Sequence, residues 1–132
     1  MKLNKDTGSR AVYIQIIEMV KRVIVKGETP PGTKIMSIEK FATNLGVAPN
    51  TVAMAYTKLV KEGLLYAKKG TGFFITKDKN RIESERQKLI LQYAERFGED
   101  IKACLSNTFT QQRRGEEVAR ILNKVQAIIL SQ

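Results

Sequence analysis

The sequence predicts a mainly α-helical fold with a small β-hairpin, and three observations support this. Apolar residues recur at helical spacing along most of the 132 residues. The exception is residues 64–76, where two short β-prone runs flank the glycine-containing segment KKGTG. Proline and glycine lie between these segments, where turns are expected.

The first predicted helix lies in residues 10–28, RAVYIQIIEMVKRVIVKGE. Its apolar positions share one helical face: Val12, Ile16, Met19, Val20, Val23 and Ile24. Gly27 suits the end of this helix, and the prolines of TPPGTK then predict a turn.

Two shorter helices are expected next. Ser37 is suited to cap SIEKFATNLG, which Gly46 ends, and Pro49 suits the first position of a helix over residues 49–62. The expected buried stripe of that helix is Val52, Tyr56, Leu59 and Val60. Two short helices joined by a turn of about four residues containing glycine form a helix-turn-helix. The hairpin that follows, with strands at 65–67 and 73–75, completes a winged helix-turn-helix.

The predicted boundary between the winged helix-turn-helix domain, 1–78, and a C-terminal helical dimerisation region, 79–132, lies in the polar segment TKDKN. Apolar residues recur at Leu89, Tyr93, Phe97, Ile101 and Leu105, and again through EVARILNKVQAIIL. Whether the first of these helices continues through Gly98 stays open. A helical hairpin of this length is expected to bury its apolar stripe against a twin copy, which predicts a homodimer.

The formal net charge of +10 predicts a polyanionic partner. Residues 1–78 carry 13 basic and 6 acidic side chains, so the positive charge is concentrated in the predicted winged domain. Histidine is absent and there is one cysteine, which argues against a zinc site, a histidine-dependent triad and an enzyme, so no cofactor is expected. The polar N-terminus and the lack of a long apolar run predict a cytoplasmic protein without a membrane partner.

Five segments together resemble the GntR family of winged-helix transcription regulators. They are YIQIIEMVKRVIVKGETPPGTKI, SIEKFATNLGV, PNTVAMAY, LVKEGLL and KKGTGFFIT. The resemblance covers about residues 11–78, and the short C-terminal part is similar to that of the YtrA-type branch. It implies a homodimeric repressor that binds a palindromic double-stranded DNA operator. A small-molecule effector stays unidentified, because the sequence has no Gly-rich phosphate loop and no metal cluster.

The helix at 49–62 is expected to enter a major groove. Asn50 is suited to pair with adenine, and Ala53 and Met54 to pack on thymine methyl groups, while structural roles inside the helix remain an alternative for all three. The lysines further along the helix and the hairpin turn are expected to meet the DNA backbone or minor groove. The predicted DNA-binding residues are Ser37, Glu39, Pro49, Asn50, Thr51, Ala53, Met54, Thr57, Lys58, Lys61, Lys68, Lys69, Gly70, Thr71 and Gly72.

One position departs from the family pattern. Where the family commonly has PSxR, this chain has MSIE, so Glu39 replaces an arginine that reaches DNA. A carboxylate there either accepts from cytosine N4 or favours the positive end of its own helix. The departure keeps a second hypothesis open, a winged-helix protein-interaction module that binds DNA weakly or non-specifically.

Overall fold

A computed structural model describes residues 3–4 and 8–131, except for the side chains of residues 9 and 10. The described chain contains five helices and one two-stranded antiparallel sheet. In chain order the elements are α1 (Gly8–Lys26), α2 (Ile38–Leu45), α3 (Pro49–Lys61), β1 (Leu65–Lys68), β2 (Gly72–Ile75), α4 (Lys79–Cys104) and α5 (Gln111–Leu130). The predicted fold class, a winged helix-turn-helix followed by helices, is therefore confirmed.

The core of the winged helix-turn-helix lies between α1, α2, α3 and the hairpin. The predicted apolar face of α1 is buried except for Val23, which is half-buried. Val52, Tyr56 and Leu59 of α3 pack into the same core, as their spacing predicts, and Val60 is half-buried at its edge. Burial of these side chains is the main stabilising contribution to the domain.

Local sequence signals set the ends of α2 and α3. The Ser37 hydroxyl accepts a hydrogen bond from the backbone N–H of Lys40 across 3.2 Å, which satisfies one of the free donors at the start of α2. Gly46 ends α2 in the left-handed region at φ 68°, where glycine meets no steric penalty. Pro49 occupies the first turn of α3, as the sequence predicts.

The hairpin pairs Leu65 with Ile75 at its base and Lys68 with Gly72 at its tip. The other edge of β2 is also hydrogen-bonded, because Ile35 N–H donates to Phe73 O and Ile75 N–H donates to Thr33 O, each across 2.9 Å. The sequence predicts only a turn in TPPGTK, and this pairing of its end with β2 is a finding of the structure. It ties both sides of β2 to the domain.

The first part of α4 is fixed to the winged domain by buried apolar and charged groups. Ile82 and Leu89 are buried, and so is the carboxylate of Glu85. Glu85 accepts a hydrogen bond from Arg81 across 2.9 Å and lies 3.3 Å from the ammonium of Lys21 in α1. Lys21 also lies 3.5 Å from the carboxylate of Glu62, which follows α3. This ion cluster joins three helices.

The chain forms two compact units, Met1–Ile90 and Leu91–Gln132. Helix α4 is continuous through Gly98 and contributes residues to both. In the second unit, α5 has no buried residue, and Val118, Leu122, Ile128, Ile129 and Leu130 are exposed by 43–72%. The apolar stripe predicted in this region is thus present but is not buried within one chain. The predicted domain boundary at residue 78 stays a prediction.

Candidate nucleic-acid interface

Helix α3 has one buried face and one exposed face. Val52, Ala55, Tyr56 and Leu59 are buried against the core. The intervening positions point away from the core, and Met54 is 53% exposed. Since the buried face fixes the rotation of the helix, the exposed side chains have a defined direction. A helix held in this way is the element that a major groove of about 12 Å admits.

The exposed face of α3 borders a hollow of about 330 Å³ on the protein surface. Its lining combines apolar, amide, hydroxyl and ammonium groups, from Tyr13, Asn50, Ala53, Met54, Thr57, Lys58 and Lys61. Six of these seven residues are among the predicted DNA-binding residues, and the structure brings them together. The remaining one, Tyr13 on α1, was not predicted, because α1 was interpreted only as a core helix and the crossing of α1 over α3 is not visible in sequence.

Side chains on this face make local contacts that leave polar atoms for a partner. The Asn50 amide donates a weak hydrogen bond to Sδ of Met54 across 3.9 Å, and its carbonyl oxygen is an additional acceptor. The Thr57 hydroxyl donates to the Ala53 carbonyl across 2.9 Å. Thr51 is half-buried, and its backbone N–H donates to Ala48 O. Asn50 is therefore the better placed of the two first-turn polar residues for base recognition.

The start of α2 carries two further predicted residues. Ser37 is exposed, and its hydroxyl caps its own helix, so it keeps the capacity to donate its hydrogen to an external oxygen. Glu39 is exposed in the first turn, where its negative charge is favourable to the helix. Both sequence-based interpretations of Glu39 remain compatible with this position.

The hairpin tip presents the remaining predicted residues, and Lys68, Lys69, Gly70 and Thr71 are all exposed. Gly70 has φ 76° and Gly72 has φ 139°, values that disfavour side chains with a Cβ. A Cβ on Gly72 would also lie 2.9 Å from Cε of Lys34, so glycine is required there by space as well. Lys34 thus packs across the turn and adds a cation that the sequence did not assign to the hairpin.

Electrostatics around this surface are dominated by lysine. Lys58 and Lys61 lie in the last turn of α3, and the ammonium of Lys68 lies 4.9 Å from the Phe74 ring centroid in a cation–π contact. Each is exposed. Long, exposed cations on one helix end and on a rigid turn are suited to contact phosphates.

Tyr56 lies on the opposite face and has a structural role. It is 1% exposed, and its hydroxyl donates to the backbone carbonyl of Met36 across 2.8 Å. Burial raises the pKa of the hydroxyl well above its ordinary value, so the group stays protonated and remains a donor. The bond joins α3 to the residue that precedes the cap of α2.

The part of the chain described here contains no group of three or more acidic, cysteine or histidine side chains able to hold a metal ion. Among its helices, none has the length and apolar character needed to cross a membrane.

Known proteins match this chain over the winged domain and, for one structure, over nearly all of it. HTH-type transcriptional repressor NagR of Bacillus subtilis is 36% identical over 78% of this chain and 39% of its own length. HTH-type transcriptional repressor YtrA of the same organism is 37% identical over 54% of this chain and 55% of its own length. The structure of a GntR family transcriptional regulator from Listeria monocytogenes is 28% identical with a TM-score of 0.75, covering 92% of this chain and 98% of that one. The chain spans less than two thirds of both repressors.

The fold and the exposed face of α3 define a winged helix-turn-helix protein of the transcription-regulator class. Residues 12–75 match the model of the bacterial regulatory proteins of the gntR family. The chain belongs to this GntR family, as the sequence resemblance predicted, and its relatives are transcription regulators rather than enzymes.

Proposed function

We propose that the protein is a homodimeric, sequence-specific repressor that binds a palindromic double-stranded DNA operator in the cytoplasm. The observation that carries the proposal is the exposed face of α3, where Asn50, Ala53 and Met54 stand beside Lys58 and Lys61. Such a face offers an amide and apolar groups to base edges and ammonium groups to phosphates. Membership of the GntR family supports the same activity.

The division of labour follows from the geometry. Asn50 is proposed to bind an adenine edge, while Ala53 and Met54 pack on thymine methyl groups. Pro49 and Thr51 hold the first turn of α3, and Thr57 lies beside the bases. The start of α2, with Ser37 and the N–H groups of its first turn, suits a phosphate oxygen. The hairpin tip from Lys68 to Gly72 meets the flanking backbone or minor groove.

Dimerisation is proposed to occur through the second unit. Leu122 and Ile128 of α5 are 58% and 67% exposed, and the same helix has no buried side chain of its own. An apolar stripe that one chain leaves uncovered is stabilised by burial against a second copy. Two copies would place two α3 helices in successive half-sites, about 10 bp apart.

Selection of bound sites from random double-stranded DNA tests the operator proposal. We expect a palindromic consensus with two half-sites, and an affinity that falls steeply with salt. Weak binding without sequence preference would contradict it and would favour the protein-interaction module, for which the exposed Glu39 is the motivating feature.

Sedimentation of two matched variants tests the dimer. Leu122→Glu places a charge in the exposed apolar stripe of α5, while Asn123→Glu adds the same charge at the neighbouring exposed position. We expect the first variant to be monomeric and the second to remain dimeric. A Leu122→Glu protein that sediments as a dimer would rule out this interface.

A further inference from the structure

A cavity of about 330 Å³ lies inside the winged domain, away from the hollow that borders α3's exposed face. Its walls come from α1, from the segment before α2, and from α2 and α3. The lining residues are Met19, Val20, Val23, Thr29, Lys34, Ile35, Met36, Phe41 and Tyr56. If each non-hydrogen atom takes the roughly 30 Å³ of a liquid water, the cavity has room for about eleven atoms. This is the lower range of small-molecule sites.

The lining has a defined chemistry. Two thioethers and two aromatic rings face the space, and the rings of Phe41 and Tyr56 lie 6.2 Å apart at their centroids. Sulfur and ring edges are favourable neighbours for another aromatic ring. Lys34 is the charged residue of the lining and is exposed, so its ammonium is available on the solvent side.

Polar groups in the cavity are too few for a sugar or a nucleotide. The Tyr56 hydroxyl is committed to Met36 O, which leaves the Thr29 hydroxyl and the Lys34 ammonium as side-chain partners. One cation beside an apolar space matches a ligand with one anionic group and an apolar body. We propose that this cavity binds a small aromatic carboxylate, with the ring among the methionine and aromatic side chains and the carboxylate paired with Lys34.

The cavity is connected to the proposed DNA-binding elements by its own walls. Met36 and Phe41 lie on either side of Ser37 and Glu39 in sequence, and Tyr56 hydrogen-bonds to the carbonyl of Met36. A ligand that displaces Met36 therefore shifts the start of α2 relative to α3. This second half of the inference rests on the proposed function, and it predicts that the ligand weakens operator binding.

Methionine methyl resonances test binding directly, without DNA. The probe is 3-phenylpropionate, which has eleven non-hydrogen atoms, close to the estimated capacity. We expect saturable shifts of the Met19 and Met36 methyl signals, which line the cavity, and none of Met54, which lies on the exposed face of α3. Shifts that fail to saturate, or that are as large at Met54, would overturn the site.

Two variants separate the apolar and charged parts of the site. Val23→Phe fills the cavity and should abolish the shifts, with a thermal melt showing that the variant is folded. Lys34→Gln, at an exposed position, should weaken phenylpropionate binding about tenfold. The same variant should bind the uncharged 3-phenylpropan-1-ol as the parent protein does. Equal phenylpropionate affinity in Lys34→Gln and the parent would overturn the carboxylate assignment.

A binding titration with the selected operator tests the coupling. Phenylpropionate should weaken DNA binding of the parent protein about tenfold and leave Val23→Phe unchanged. An unchanged affinity of the parent, with the methyl shifts present, would overturn the coupling. If the protein binds no DNA at all, the proposed function fails, and the methyl shifts still decide whether the cavity is a ligand site.

Discussion

Single residues at the proposed DNA interface have different tasks, which their surroundings make separable. Asn50 lies on the exposed face of α3 with an amide that has further bonding capacity, whereas Lys68 and Lys69 stand on a turn that offers charge. Base recognition depends on the order of the bases, and phosphate contact does not. Substitutions at the two places should therefore give different patterns across DNA sequences.

We expect Asn50→Ala to change the preferred base at one position of each half-site, at a cost of about 1–3 kcal/mol for the preferred sequence. The double substitution of Lys68 and Lys69 by alanine should weaken all sequences alike and reduce the salt dependence by about two units. Binding measured over a salt series on a small operator library checks both. Lys88→Ala, an exposed lysine of α4, is the matched control. Uniform weakening by Asn50→Ala would remove that residue from base recognition.

Glu39 is exposed at the start of α2, close to where phosphates are proposed to lie. We expect Glu39→Gln to strengthen binding to all sequences by about 1 kcal/mol, because it removes repulsion while keeping a polar side chain. Titration of the same library measures this. Loss of affinity confined to operators with cytosine at one position would instead assign Glu39 to base recognition.

At the scale of elements, helix α4 depends on the ion cluster around Glu85. Burial of this carboxylate raises its pKa, but the hydrogen bond from Arg81 and the nearby charge of Lys21 outweigh burial, so the pKa lies below its ordinary value. A lowered pKa in the folded state means that ionised Glu85 stabilises the protein above the unfolded pKa of roughly 4.3. This contribution is lost as the pH falls through the folded value.

We expect Glu85→Gln to lower the free energy of unfolding at neutral pH by about 2 kcal/mol. The difference from the parent protein should shrink as the pH falls to about 3.5, where the parent carboxylate becomes protonated. Urea unfolding over this range checks the prediction. Glu28→Gln, which affects the exposed pair of Glu28 with Lys26, should have little effect at any pH. A pH-independent loss in Glu85→Gln would contradict the ionic role.

The elements also show what the sequence reveals and what it does not. Helical spacing, Ser37, Pro49 and the glycines predict α1, α2, α3 and the hairpin, because these signals act within a few residues. The pairing of residues 32–35 with β2 and the burial of Glu85 were not predicted. Both depend on segments distant in sequence, where no local pattern marks the partner. Tyr13 at the candidate interface was missed for the same reason.

For the whole molecule, the place where the chain divides has a practical consequence. The first compact unit extends to Ile90, and it includes the buried Ile82, Glu85 and Leu89 of α4. Truncation after Gln92 should give a folded monomer that binds the operator about a hundredfold more weakly, because two linked half-site contacts become one. Sedimentation and a binding titration measure the two effects.

Truncation after Lys79 is the comparison that sets the boundary. It removes two buried apolar side chains and the buried carboxylate partner of Lys21. We expect this shorter protein to be clearly less stable in urea than the one that ends at Gln92. Equal stability of the two would show that the start of α4 does not contribute to the winged domain.

The double-sided bonding of β2 also bears on self-association. Phe73, Phe74 and Ile75 form an apolar, β-prone segment of the kind that, on an open sheet edge, recruits strands from other molecules into aggregates. Here β1 covers one edge and residues 32–35 cover the other. The short segment before α2 thus acts as a guard against fibre formation, and loosening it would make the protein prone to precipitate before it unfolds.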